Sequence, residues 1–242
     1  MGVATVGTVA VGILAFALFC AALAPAGLLA VLIERLGGAS LTATAGTLWS
    51  GSGALRLQGL GLGRLHWSFE PVTLMQLVPG YTWRLAGDSL DLHGRMAFHG
   101  DAIELFARGT VAAAAVNPGL AAYDIRLDGG FDIEGLDATV TAEGLERLDG
   151  SGRWSGGVVS YALGGQSHTA PLPPMRAEAQ SAPVRAMAFA EAGNTLLVQA
   201  EIMDGGYVKI GITRRLLQML NQPWAGGDAD EEIVVSVEEA VF

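Results

Sequence analysis

From Ser40 onward, apolar and polar side chains alternate along the chain, and this period of two constrains the fold more than any other feature. In LRLQGLGLGRLHWSF, for example, Leu65, Trp67 and Phe69 alternate with His66 and Ser68. Such alternation is typical of strands with one buried face. Further segments with the same pattern are YTWRLAG, SLDLHGRMAFHG, AIELFARGTV, AYDIRLDGGFDI, GVVSYALGG, NTLLVQAEIMDGGYVKIGI and EEIVVSVEE.

Glycine, asparagine and aspartate turn signals separate these segments at intervals of about 8–12 residues. Helical segments do not alternate with them, so a parallel βαβ sheet is disfavoured. Two short helices are predicted, PVTLMQLV from Pro71 and TRRLLQML after an N-cap at Thr213. The sequence therefore predicts a mainly β domain, an antiparallel β-sandwich or an open β-barrel or groove, with two short helices.

Two further segments of the β-region have a less regular composition. Four of the nine prolines fall between Thr169 and Pro183, and prolines disfavour a central strand. This segment is interpreted as a linker or an edge crossing. The weakly polar TVAAAAV, beginning at Thr110, is interpreted as a strand.

The amino-terminal segment from Val6 to Ile33 carries no charge and exceeds the roughly 20 apolar residues that a spanning helix needs. Residues 1–36 are therefore interpreted as a transmembrane anchor, and residues 37–242 as a β-rich domain outside the membrane. Pro25 and Gly27 interrupt the run, but transmembrane helices tolerate both. A cleaved signal peptide, for which Ala24 and Ala26 offer small residues at a cleavage site, and a buried helix are the alternatives. The only cysteine, Cys20, lies inside it, so no disulfide within the chain is expected.

A tryptophan stands beside glycine-rich turns at two places, in GTLWSGSGALRL and in GSGRWSGGVVSYAL. Trp49 and Trp154 each precede Ser-Gly, with Gly51 and Gly156 as the glycines that follow. A buried indole removes about 150–250 Å² from water, so each could close one end of a β-core. The sequence leaves two arrangements open: two similar β-layers, at about residues 40–145 and 146–242, or one β-unit.

The order of these motifs identifies a resemblance. Gly63, Leu65, Trp67 and Pro71 match a G-x-L-x-W-x-x-x-P phrase that leads into a Leu-rich helix. With the apolar amino terminus, the two Trp-Ser-Gly phrases and the closing TRRLLQML, the chain resembles the type II secretion system protein N family. The resemblance implies an inner-membrane component of a Gram-negative export machinery, with one anchor and a periplasmic β-domain. Its implied partners are other secretion-system proteins of the inner membrane and periplasm, and it implies no catalytic residues.

The polar residues do not form a catalytic or cofactor-binding pattern. His66, His93 and His99 are interpreted as exposed strand residues, because zinc needs three or four ligands held in one geometry. Ser167 and His168 are adjacent, and adjacent side chains diverge on an extended chain, so they do not make a catalytic pair. The acidic cluster Asp228, Asp230, Glu231 and Glu232 lacks the order of an EF-hand and is interpreted as a solvated loop. The glycines of Gly59–Gly63 precede a strand, whereas a phosphate loop opens a helix. We therefore expect no catalytic, cofactor-binding or metal-binding residues.

Composition and motifs also bear on the class of function. The net charge of −10 disfavours nucleic acid, which needs clustered basic side chains. An assembly part that pairs through exposed sheet edges agrees best with the resemblance. A membrane-anchored groove that binds or transfers lipid is the alternative, favoured by the 51% hydrophobic composition. An exported hydrolase is disfavoured because the sequence lacks a nucleophile elbow of the form G-x-S-x-G.

Overall fold

The chain folds around one large antiparallel sheet. The computed structural model describes residues 16, 19–20, 22–35, 38–71, 73, 78–141, 143–203, 207–222, 224, 226 and 229–240. Its strands, in chain order from β1 to β16, are Ala39–Gly46, Ser50–Leu57, Leu60–Glu70, Gly80–Gly87, Leu90–His99, Ala102–Ala112, Arg126–Leu127, Gly130–Thr141, Gly144–Trp154, Gly157–Leu163, Gln166–Leu172, Met175–Gln180, Arg185–Ala190, Thr195–Met203, Tyr207–Thr213 and Ile233–Ala240.

Thirteen strands form the large sheet in the order β1-β2-β3-β4-β5-β6-β8-β9-β12-β13-β14-β15-β16. This order follows the chain except at two insertions. Strand β7 is inserted between β6 and β8, and the β10–β11 hairpin between β9 and β12; together they make a three-stranded sheet in the order β11-β10-β7. The predicted mainly β, antiparallel class with few short helices is confirmed.

Three described α-helices accompany the sheets: α1 (Gly27–Arg35), α2 (Ala113–Leu120) and α3 (Arg214–Met219). Helix α3 begins where the sequence predicts, because the Thr213 side chain accepts a hydrogen bond from the backbone N–H of Leu216. The same hydroxyl donates to the carbonyls of Leu196 and Leu197 of β14, which ties α3 to the sheet. Of the other predicted helix, Pro71 and Thr73 lie in a 3₁₀ turn and most of the rest is outside the described residues.

Two local interpretations are only partly right. Residues 169–172 of the proline-containing segment lie in β11, which is an edge strand as predicted, but the rest of the segment differs. Residues 175–180 form β12, which pairs with β9 on one side and β13 on the other and is therefore a central strand. The prolines did not prevent this because they lie before and after Met175–Gln180 rather than within it. The segment TVAAAAV is only partly a strand, since α2 begins at Ala113 directly after β6. Alanine has the highest intrinsic helix propensity, which explains the change.

The amino-terminal apolar run divides at Pro25. Its carboxyl-terminal part forms α1, and Pro25 itself makes an isolated β-bridge to Thr47. Within the part of the chain that the structure describes, none of the helices has the length and apolar character needed to cross a membrane. Much of the predicted anchor at residues 1–36 lies outside the described residues, so the anchor stays a prediction.

The boundary proposed between two β-layers falls inside β9. Strand β9 (Gly144–Trp154) pairs with β8 and with β12, so the large sheet continues on both sides of residue 145. Two separate clusters of buried side chains nevertheless lie toward the two ends of this sheet. The division at residue 145 stays a prediction.

Candidate functional site: the apolar sheet face and the open sheet edge

One row of opposed residues crosses the whole large sheet on a single face. Directly opposed residues share a face because side chains alternate along each strand. The row takes one residue from each of the 13 strands and contains no charged side chain. It comprises Gly46, Gly51, Trp67, Trp83, Gly94, Ala107, Leu136, Gly150, Ala179, Ala186, Ala200, Ile210 and Val237. We call it the apolar row, and the face that carries it the apolar face.

The opposite face carries ion pairs and is the polar face. Arg84 Nη2 lies 2.7 Å from Asp91 Oδ2 across β4 and β5. Arg176 pairs with Glu178 at 2.7 Å on β12, and similar pairs join Arg185 to Glu201 and Arg153 to Glu134. Most of these side chains are at least one-third exposed, so the polar face meets solvent and the apolar face is the one available for burial.

Helix α1 covers the apolar face at the β1–β4 end. Ala26, Leu41 and Trp67 form a buried cluster there, at 2%, 3% and 5% exposure. The half-buried side chains that pack against it come from α1 and from strands β2 to β4, namely Leu29, Ala30, Ile33, Leu55, Leu65 and Tyr81. The apolar run that precedes the β-domain therefore ends by packing on the sheet.

The three-stranded sheet and α3 cover another part of the apolar face. Their buried cluster contains Trp154, Val159, Leu172, Ala190, Leu197 and Leu216. Half-buried residues of the large sheet, including Phe131, Met175 and Val198, pack against the same cluster. The two insertions thus supply a second layer over the ends of the strands that carry Trp154 and Met175.

A strip of alanines on the apolar face lies beside this second layer and is not covered by it. Ala177 and Ala186 are exposed, and Ala179, Ala188 and Ala200 are half-buried. Their register places all five on the face of Trp154 and Met175. Larger side chains of the same face flank the strip, namely Leu136 and Leu148 on β8 and β9, and Ile202 and Ile210 on β14 and β15. We call the five alanines, without these larger neighbours, the alanine strip.

Of the predicted motif residues, Trp67 and Gly51 are directly opposed and in contact. A Cβ on Gly51 would lie 2.6 Å from Trp67 Cζ2, so the glycine leaves room for the indole. The Trp67 Nε1–H donates to the carbonyls of Thr47 and Leu48, at 3.2 and 3.1 Å. Trp67, on β3, therefore holds the β1–β2 turn against the sheet through these two hydrogen bonds. Trp49, on that turn, is half-buried and meets Phe69 edge to face at 5.0 Å.

Trp154 occupies the equivalent position in the second cluster, at 7% exposure. Its Nε1–H donates to the carbonyl of Asp128 at 2.9 Å, and its ring stacks on Phe131 with centroids 6.4 Å apart. Gly156 follows with φ of 78°, a conformation that glycine adopts without a steric penalty. The structure places Trp67 and Trp154, rather than Trp49 and Trp154, in the two buried clusters. Pro71 follows β3 directly, at the start of the 3₁₀ turn.

The polar residues considered as candidate ligands are dispersed. His93 and His99 are exposed on the polar face of β5, where His93 Nε2 accepts a hydrogen bond from Arg108 and His99 lies 3.5 Å from Glu104. His66 is exposed on β3, and His168 stacks on Tyr161. Asp230, Glu231 and Glu232 are exposed, and Asp228 lies outside the described residues. Within the described ranges, no three histidine, cysteine or acidic side chains come together as a metal site.

An open groove of about 700 Å³ lies beside α2 and the three-stranded sheet. Asn117 lies in its wall and closes the β7 edge, because its side-chain amide exchanges two hydrogen bonds of 2.9 Å with the backbone of Leu127. Tyr161 donates to the Leu220 carbonyl and is therefore fixed in a structural contact. Asp124, Ser167 and His168 are among the residues that line the groove, and we assign it no chemistry.

The two edges of the large sheet differ. At β1, Ala24 and Ala26 make backbone hydrogen bonds to Leu48 and Gly46, and a register shift between Thr42 and Ala45 interrupts the strand. At β16, residues 233–240 pair with β15 and, among the described residues, with no other strand. Ile233 and Val237 are 42% and 50% exposed. Strand β16 therefore offers an unpaired row of backbone donors and acceptors, which is the template for strand addition.

A carboxylate on the polar face ties β9 to the β12–β13 turn. Asp149 accepts hydrogen bonds from Arg147, from the Ser181 backbone N–H at 3.0 Å and from the Ser181 hydroxyl at 3.1 Å. These bonds, that from Arg147 foremost, hold the pKa of Asp149 below its ordinary value of 3.8. Stability from this carboxylate is therefore present above pH 3.8 and is lost as the pH falls through the lowered pKa.

We expect Asp149→Asn to lose less stability on acidification than the unaltered protein does. The measurement is the difference in melting temperature between neutral pH and a pH below 3.8, compared within each protein. Ser181→Ala removes the hydroxyl, one of the three donors, and keeps the backbone N–H, so it should shift the acid dependence in the same direction by a smaller amount. An identical acid-induced loss in all three proteins would contradict the assignment.

Comparison with known proteins gives one family. A family model described as type II secretion system (T2SS), protein N, matches residues 37–223, which is more than half of the chain. No curated protein and no solved structure matches the chain.

Proposed function

Because the chain belongs to the type II secretion system protein N family, we propose that it is a non-enzymatic inner-membrane component of the type II secretion machinery. In this proposal residues 1–36 anchor the chain in the membrane once, and residues 37–242 act in the periplasm. The uncharged run from Val6 to Ile33 supports the anchor. Other secretion-system proteins of the inner membrane and periplasm are the proposed partners.

The open edge of β16 is the observation that carries the assembly role. A partner strand laid along it gains main-chain hydrogen bonds, each contributing about 0.5–1.5 kcal/mol net. Alternate side chains of β16 add specificity, since Val235 and Val237 lie on the apolar face and Ser236 on the polar face. The β1 edge is less suitable, because a bulge and the Pro25 bridge occupy it. We therefore assign partner binding to β16.

Two proline substitutions at neighbouring positions test this edge. Backbone N–H groups of adjacent strand residues point in opposite directions, so one of Ser236 and Val237 faces β15 and the other faces outward. Proline at the outward position should leave the melting temperature unchanged but reduce crosslinking from β16 to secretion-system proteins by about tenfold. Proline at the inward position should cost about 3 kcal/mol of folding free energy.

The inward variant is the matched control, because it differs by one residue and weakens the fold rather than the edge. Secretion of an exported substrate is measured in cells whose only copy of this chain carries each change. If neither proline affects secretion or crosslinking, or if the defect follows stability alone, β16 is not the partner edge.

A lipid-binding module is the second candidate function, and the apolar row favours it. Thirteen opposed residues without a charge cross the sheet, and part of that face is exposed. A surface of this kind on a soluble domain marks a site of interaction with another protein, a ligand or a membrane. Phospholipid that co-purifies with the full chain and is detected by native mass spectrometry would support this candidate.

A further inference from the structure

We propose that the alanine strip binds the acyl chains of a phospholipid with an uncharged or zwitterionic headgroup. The inference rests on the second candidate function and gives it a location and a ligand class. The strip consists of Ala177 and Ala179 on β12, Ala186 and Ala188 on β13 and Ala200 on β14.

The shape of the strip follows from side-chain size. Neighbouring strands lie about 4.8 Å apart, so the strip is about 10 Å wide between the axes of β12 and β14. Single methyl groups form its floor, while Leu136 and Leu148 rise on one side and Ile202 and Ile210 on the other. At one end of the strands, Met175 and Trp154 close it against the second layer. The result is a shallow apolar surface with higher sides.

Hydrogen bonding distinguishes an acyl chain from an extended peptide. Strands β12, β13 and β14 are each paired on both sides, so their backbone groups are already bonded within the sheet. An extended peptide on this face would leave its own N–H and C=O groups unpaired, at about 1–3 kcal/mol for each buried group. An acyl chain has no such groups, so its burial on this face leaves no hydrogen-bonding group unpaired.

Side-chain anchoring distinguishes an acyl chain from a partner helix. A helix that docks in a groove inserts large side chains at positions i, i+3, i+4 and i+7 into pockets. A row of alanine methyl groups offers no such pockets. A flexible hydrocarbon needs only a continuous apolar surface, which the strip provides.

Charge selects the headgroup class. The chain carries a net charge of −10, and ion pairs already engage five of its 14 lysine and arginine side chains. An anionic headgroup would meet an overall repulsive field. We therefore expect phosphatidylethanolamine to be enriched over phosphatidylglycerol by about threefold or more relative to their ratio in the membrane.

Photo-crosslinking from two positions tests the location in the full chain extracted from membranes. A photoreactive residue replaces Ala186, exposed on the apolar face, or Gln180, exposed on the neighbouring strand and on the polar face. The expected result is a phospholipid adduct at position 186 that exceeds the adduct at position 180 by about tenfold. A protein adduct at position 186 in place of lipid, or equal lipid adducts at both positions, would overturn the proposal.

A pair of charge substitutions provides an independent measurement. Ala186→Asp places a carboxylate on the strip and should reduce co-purified phospholipid by about tenfold, because a charge against an acyl chain is costly. Gln180→Asp adds the same charge on the polar face beside Arg185 and should leave the lipid content unchanged. Ala186→Trp fills the strip without adding charge, so it should also displace lipid, and melting temperatures identify any variant that fails to fold.

The outcomes separate this inference from the candidate function on which it rests. Phospholipid that still co-purifies with Ala186→Asp and Ala186→Trp would retain a lipid-binding function and overturn the alanine strip as its location. A wild-type chain that carries no phospholipid would overturn both.

Discussion

Replacing Trp154 with alanine is expected to lower the free energy of unfolding by about 3–5 kcal/mol, the usual cost of removing a buried aromatic side chain. The indole is 7% exposed and lies in the cluster that joins the large sheet to the second layer. The substitution also removes the donor to the Asp128 carbonyl and the stacking contact with Phe131. Urea unfolding of the full chain, followed by circular dichroism, measures the change.

Two further substitutions divide this cost into its physical parts. Trp154→Phe keeps a large apolar ring but loses the hydrogen bond to Asp128, so we expect a loss of about 1–3 kcal/mol. Trp49→Ala should cost about 1–2 kcal/mol, because Trp49 is only half-buried. If Trp154→Ala cost no more than Trp49→Ala, the second layer would not depend on the indole.

The period of two predicted many of the strands, though not β9, β12 or β13, because a strand that buries one face only alternates apolar and polar residues. Polar residues at alternate positions fix which face meets solvent, and a shift of one residue would bury every charge. Helix α3 was predictable for a similarly local reason, since Thr213 supplies its cap from within the sequence. Patterns of this kind depend only on residues close together in the sequence, so they can be identified without the structure.

The pairing of strands was not predictable, because it depends on insertions and on distant register. Nothing local indicates that β12 returns beside β9 after the β10–β11 hairpin. Nor does the sequence separate the end of β6 from the start of α2, since alanine is compatible with both after Val111.

The candidate site was visible from the sequence only in part. Trp154 was identified by its glycine-rich context, whereas the buried role of Trp67 depends on the opposed Gly51 of another strand. The alanine strip could not be predicted from the sequence, because alanines on β12, β13 and β14 become neighbours only through the strand register. A plain alanine in a strand carries no chemical signal until its cross-strand partners are known.

Gly94→Ala is expected to destabilise the protein by about 3 kcal/mol or more, although the change adds only one methyl group. A Cβ on Gly94 would overlap the Phe106 carbonyl oxygen, well within the sum of their van der Waals radii, and would lie 3.0 Å from Trp83 Cζ2. The carbonyl is backbone of the paired strand β6, so relief requires the β5–β6 ladder itself to move.

The matched control for Gly94 is Gly61, on β3 of the same sheet. A Cβ there would meet nothing within 4 Å, so Gly61→Ala should change stability by less than about 0.5 kcal/mol. Both variants add one methyl group to a strand and restrict the unfolded chain equally, so their difference reports the close approach of β5 and β6 alone. Equal melting temperatures for the two variants would show that β5 and β6 do not approach so closely at Gly94. In that case the indole of Trp83 would not need a glycine at position 94 to make room for it in the apolar row.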